Sequence, residues 1–196
     1  MEGGFHACGI NPDEIFAGKQ EYAICSLAAE ESLSNCLMWG YYANGFKGVA
    51  IELETAPISI DEMMNSIEPV KYEEHLPTVS ASRYTEIKRV LTTKLSAWKH
   101  ESEWRFLVKS TNSGLYPIGT IKAIHFGNPY GYARNSKKIL KQTKLLRTYN
   151  SRRNKLVKLA HNMGILCYFM HIDESGEKVS HQISSCSSSS ALNHAV

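Results

Sequence analysis

One stretch, Trp98-Lys99-His100-Glu101-Ser102-Glu103-Trp104-Arg105-Phe106-Leu107-Val108, constrains the fold more than any other. Its second half is rich in aromatic and branched residues, which predicts a strand over Ser102–Lys109. Side chains alternate across a strand, so Glu101, Glu103, Arg105 and Leu107 share one face while Ser102, Trp104, Phe106 and Val108 share the other. Same-face neighbours stand about 6.5–7 Å apart at Cα, close enough to couple two carboxylates and a guanidinium. The pattern fits either a site or a salt bridge, and the residue types leave both open.

Around this strand the elements alternate. Tyr22–Leu27, Lys47–Leu53, Ile121–Gly127 and Ile165–Ile172 have strand character, and Val70–Glu73 is a shorter candidate. Helical spacing predicts helices over Ala28–Asn44, with Asn44-Gly45 as a left-handed stop, and over Ser82–Ala97. Two basic helices are expected after Gly131: one over Ala133–Leu146, and one with Leu156, Leu159, Ala160 and Met163 on its buried stripe. A short helix around Asp61–Ser66 and a turn at Asn112-Ser113-Gly114 fill the gaps. Because strands and helices do not follow a strict βαβ order, the fold class is α+β: one domain with a mixed, mostly antiparallel sheet flanked by helices. Residues 1–21 are expected to be irregular, 22–173 to form the domain, and the Ser-rich residues 174–196 to be a disordered tail.

At 196 residues the chain can bury one sizeable core. No apolar run reaches membrane-helix length, and the start lacks a basic-then-apolar leader pattern. Five cysteines without Cys-x-x-Cys spacing indicate reduced thiols and a cytoplasmic setting. Cys167 and His171 share a strand face but are better explained by core packing than by zinc, and no metal is expected. The chain has no phosphate-binding glycine loop, no Gly-x-Ser-x-Gly elbow and no His-Glu-x-x-His, which removes kinase, classical dehydrogenase, esterase and zinc-peptidase readings.

The net charge of +3 conceals an uneven distribution. Ten of the 22 bases and none of the 19 acids lie between Arg134 and Lys158. Lys137, Lys138, Lys141, Lys144, Arg147, Arg152 and Arg153 are the candidate nucleic-acid contacts, with a solvated helix face as the alternative.

Three blocks carry a resemblance: Leu37-Met38-Trp39-Gly40-Tyr41-Tyr42-Ala43, Gly48-Val49-Ala50-Ile51-Glu52-Leu53, and Lys94…Trp98…Glu101…Glu103-Trp104-Arg105, with Ile121-Lys122-Ala123-Ile124-His125-Phe126-Gly127 after them. In order and spacing they resemble the bacterial domain-of-unknown-function family 2971 over roughly residues 22–172. The family's "NDPFE"-like opening has only a faint counterpart in Asn11-Pro12-Asp13-Glu14, so the chain looks shortened at its N-terminus. Glu101-x-Glu103 is also similar to the acidic motif of ADP-ribosyltransferases. That likeness implies NAD as cofactor, with Glu103 stabilising the oxocarbenium-like transition state, Glu101 orienting the acceptor and Arg105 holding the carboxylates or a phosphate. Trp39 and Tyr42 would then stack on a base or nicotinamide ring, core packing being the alternative. Together these likenesses imply an NAD-using transferase-like domain of a defence or toxin-type system, phage defence included. The rival is a non-enzymatic nucleic-acid-binding module using the basic residues 134–158. His100 and His125 are candidate general bases, with structural roles as the alternative.

Overall fold

The computed structural model describes residues 4–55, 65–109, 116–128, 143–172 and 178–182. They are α+β, with mostly antiparallel strands. They divide into two compact units, one within Met1–Asn35 and Ala56–Ile118, the other within Cys36–Thr55 and Gly119–Val196.

The first unit starts with β1 (His6–Ala7) and then α1 (Pro12–Gln20), a helix in a region expected to be a loop. The start signal is local. Asn11 accepts a 3.0 Å hydrogen bond from Asp13 N through its side chain, and Pro12 supplies the φ a first helical turn needs. Strand β2 (Tyr22–Ala28) follows, then a 3-10 turn (Glu30–Ser34). Further along come β4 (Asn65–Pro69), β5 (Lys71–Glu73), β6 (Thr78–Val79), α3 (Tyr84–Leu91), β7 (Thr93–Leu95), a second 3-10 turn (Ser96–Glu101) and β8 (Glu103–Lys109). Strand β8 is central in its sheet, antiparallel to β2 on one side and β4 on the other. The core gathers Ile15, Val79, Ile87, Val90, Leu91 and Leu107, with the α3 residues at helical spacing.

The helix expected over Ser82–Ala97 is cut short at Leu91. Thr92 and Thr93 turn their hydroxyls back onto the carbonyls of Lys88 and Arg89, and Thr93–Leu95 then pairs in parallel with β5.

The second unit contains α2 (Cys36–Tyr42), β3 (Val49–Thr55), β9 (Gly119–Gly127), α4 (Thr143–Asn162), β10 (Leu166–Ile172) and β11 (Lys178–Gln182). Its sheet order is β11-β10-β9-β3, and the β9–β10 pair is parallel because α4 carries the chain across between them. The helix expected over Ala28–Asn44 is broken. Its first residue ends β2 and its middle is the 3-10 turn; only Cys36–Tyr42 is α-helical. The predicted stop holds, and Asn44, Gly45 and Phe46 all have positive φ (49°, 61° and 63°).

Helix α4 runs without a break through Leu146–Ser151, where two separate helices had been expected. Of the anticipated stripe only Ala160 is buried; Leu156, Leu159 and Met163 are exposed. The residues facing the sheet side are Val157 and Ala160, packed with Phe126, Ile165 and Cys167. Both stripes have a helical period, and docking on the sheet selects between them. The expected helix over 61–66, the turn at 112–114, most of the first basic helix and the rest of the expected tail lie outside the described residues, but 178–182, expected to be part of a disordered tail, form β11 because their backbone pairs antiparallel with β10. No described helix is long and apolar enough to cross a membrane, and the described cysteines, Cys8, Cys25, Cys36 and Cys167, carry free thiols.

Candidate functional site

Glu101 and Glu103 converge because the backbone between them reverses. Glu101 ends the 3-10 turn, and Ser102 takes a left-handed conformation (φ 44°) before β8 begins. That conformation costs a non-glycine residue about 1 kcal/mol, and its surroundings hold it. Ser102 O accepts from Ala29 N at 2.9 Å, Ser32 Oγ donates to Glu101 O at 3.0 Å, and Asn35 Nδ2 donates to His100 O at 2.8 Å.

The two carboxylates meet on Lys94. Its Nζ lies 2.6 Å from Glu101 Oε2 and 2.7 Å from Glu103 Oε2. Glu103 Oε1 also accepts from Ser26 Oγ at 2.7 Å and from Arg105 Nε at 2.9 Å, and Arg105 Nη2 approaches Oε2 at 3.4 Å. Arg105 Nη1 donates to Leu91 O, at the end of α3. Tyr72 Oη accepts from Glu103 N at 2.8 Å.

Two positive and two negative groups thus close a buried, charge-balanced cluster. Arg105 is 0%, Glu101 2% and Glu103 6% exposed, so water cannot compensate a missing partner. Burial alone would raise the Glu103 carboxyl; hydrogen bonds from Arg105, Lys94 and Ser26 outweigh it and hold the group below its ordinary value. Burial would likewise lower Lys94, but Glu101 and Glu103 raise it.

Of the residues singled out in the sequence, Glu101, Glu103 and Arg105 are brought together here, although Glu101 precedes the strand instead of sharing its face. Ser26, Tyr72 and Lys94 were not anticipated as members. Lys94 was visible within the motif block; Ser26 and Tyr72 had no local signal, because only strand pairing delivers them. On the opposite face Phe106 and Val108 are buried while Trp104 is 39% exposed.

Trp39 and Tyr42 belong to the other unit. Trp39 is buried, with its ring stacked on Phe46 at 5.2 Å. Tyr42 is exposed and meets Tyr41 edge-on, with ring centroids 6.5 Å apart. His125 lies in the same unit, and its Nε2 is 3.1 Å from Glu52 Oε2 while its ring stacks on Tyr168 at 5.0 Å. Its buried Nδ1 meets no hydrogen-bond partner among the described residues. Glu52 escaped notice because its pairing with His125 depends on the β3–β9 register.

Lys137, Lys138 and Lys141 lie outside the described residues. Lys144, Arg147 and Arg152 are exposed on α4, as are Lys155 and Lys158. Arg153 points the other way: its guanidinium lies 4.5 Å from the Phe169 ring centroid and 5.6 Å from that of Tyr149.

Residues 38–106 match the family described as Protein of unknown function (DUF2971). The match takes in most of α2, β3 and the acidic block, and it ends before the Ile121–Gly127 element. No curated protein and no solved structure matches the chain.

Proposed function

We propose that this chain is a nucleic-acid-binding module that uses the solvent face of α4. One observation carries the reading: Lys144, Arg147, Arg152, Lys155 and Lys158 are all exposed on a helix that contains no acidic residue. Lys144, Arg147, Lys155 and Lys158 fall on one side at helical spacing, forming a ridge of positive charge that attracts a polyanion. Binding through phosphates releases counterions, so affinity must fall with salt. With four or five contacts, log K against log salt should slope at about −3.6 to −4.5 on a duplex or about −2.8 to −3.5 on a single strand. Fluorescence anisotropy with a labelled oligonucleotide measures this. The double variant Lys155→Glu/Lys158→Glu should weaken binding at least ten-fold. No association at low salt, or a response indifferent to salt, removes the reading.

The second reading, ADP-ribosyl transfer from NAD through Glu103, is favoured by the carboxylate being held ionised by Arg105, Lys94 and Ser26. It stands second because those same donors already occupy both oxygens of a side chain that is almost fully buried. A ribose hydroxyl would have to displace one of them. The residues present therefore do not fit NAD at this carboxylate. Incubation with labelled NAD tests the reading directly. Label transfer that Glu103→Gln abolishes, in a variant shown to remain folded, would reverse the order of the two readings; absence of NAD loss would end the second.

A further inference from the structure

Helix α4 has three sectors. Val157 and Ala160 face the sheet, and the ridge of Lys144, Arg147, Lys155 and Lys158 faces solvent. The third sector is apolar and open: Leu145, Leu156, Leu159 and Met163 are 60%, 47%, 56% and 63% exposed. With the exposed Arg152 among them, these residues recur at steps of 7, 4, 3 and 4 along the chain. At 3.6 residues per turn that spacing confines all five to an arc of about 60°. Met163 N donates to Leu159 O at 3.2 Å, which keeps the last member in helical register before Gly164 turns away at φ 71°.

Leucine and methionine left in solvent forgo the gain of burial, and four of them on one line form a patch instead of a scatter. A narrow apolar stripe with a seven-residue repeat is the seam that one helix offers to another. A helix lying in a lipid surface sinks a broader apolar face, and here the sheet already occupies one flank of the stripe. Charge decides which helix fits. Arg152 stands within the seam, Lys144 and Lys155 stand along its open flank, and α4 has no acid from end to end. A second copy laid on the same seam therefore brings no carboxylate from α4 to Arg152 in either orientation. A helix with acids beside its apolar repeat does.

We infer that the seam over 145–163 docks an amphipathic helix of a partner protein, apolar at a seven-residue repeat and acidic along its flanks. Its apolar side chains would cover Leu145, Leu156, Leu159 and Met163, and its carboxylates would meet Arg152 and Lys155. The inference stands apart from the nucleic-acid reading, which uses another side of α4.

The test is fluorescence anisotropy with a labelled synthetic peptide of about three heptads, with leucine at the repeat positions and glutamate on both flanks. The control is the same peptide with lysine flanks. The glutamate peptide should bind the full chain at least ten-fold more tightly than the control. Leu156→Gln/Leu159→Gln should weaken that binding at least ten-fold. Both side chains are exposed, so the same double variant should keep its melting temperature and its affinity for an oligonucleotide. Arg152→Glu should narrow the preference for the glutamate peptide at least three-fold. Equal binding of the two peptides overturns the inference, as does glutamate-peptide binding that Leu156→Gln/Leu159→Gln leaves intact. Without peptide binding, a sedimenting dimer dissolved by that double variant would give the seam to a second copy. Flotation with phosphatidylglycerol vesicles, abolished by the same variant, would give it to a membrane; either result overturns the inference. If the glutamate peptide binds as expected and no oligonucleotide does, the seam stands and the reading of the basic ridge falls.

Discussion

Lys94 and Lys155 carry the same charge, yet their surroundings give them opposite capacities. Lys94 sits between two buried carboxylates at 2.6 and 2.7 Å, in a cluster whose charges balance. Lys155 stands exposed on a helix with no acid along its length. The first charge is spent on the fold; the second is open to a partner. Charged residues in this chain are therefore sorted by burial and by how many donors and acceptors already meet, more than by residue type. The Glu52–His125 pair falls between the two, with an exposed carboxylate reaching a buried imidazole.

The largest effect should come from breaking the closed cluster. Arg105→Met removes both donors to Glu103 and the contact with Leu91 O, leaving a buried carboxylate short of partners. A loss of about 3–5 kcal/mol in urea unfolding is expected. A change below about 1 kcal/mol would mean that solvent reaches the cluster and that its charges resemble those on α4.

A second effect follows from pH. The Glu103 carboxyl is held below its ordinary value of 4.5 in the folded chain, so its contribution is present above that value and is lost as pH falls through the lower, folded one. Lys94 is raised above 10.5, and burial pushes the Tyr22 hydroxyl up to about 12 from 10.0. Those contributions are present below the unfolded values and are lost as pH rises through the folded ones. Thermal melts across pH should therefore show an acid limb below about 4.5 and an alkaline limb above about 10. Glu103→Gln should flatten the acid limb; if the limb is unchanged, other carboxylates dominate it.

The smallest effect on stability should come from the open side. Lys155→Glu/Lys158→Glu should alter unfolding free energy by no more than about 0.5 kcal/mol per site, while weakening nucleic-acid binding. Comparable damage to folding would place α4's charges with those of the cluster.

Strand β8, strand β9, the left-handed stop after α2 and the shared face of Glu103 and Arg105 were legible because each depends on neighbours in the chain, whereas Glu101 joins them through the left-handed Ser102, which Ala29 and Ser32 hold from far along the sequence. The breaks in the helices expected over 28–44 and 82–97 were not. There Ser32, Asn35, Thr92 and Thr93 use their side chains to bind backbone carbonyls, and the chosen partners in the first case lie at His100 and Glu101. Nor could helical period say which face of α4 would meet the sheet, since Leu156, Leu159 and Met163 recur as regularly as Tyr149, Arg153 and Val157.

The amino-acid sequence by itself determined where chemistry is concentrated: an acidic strand and a basic helix. Only the tertiary structure decided which of these groups are already satisfied. Saturation depends on partners brought from far along the chain, Ser26 by strand pairing and Leu91 O by the end of α3, and distance in sequence carries no record of them. In a medium that excludes water, those partners turn an acidic motif into a structural clasp, while the same kinds of charge left in solvent on α4 keep their reach.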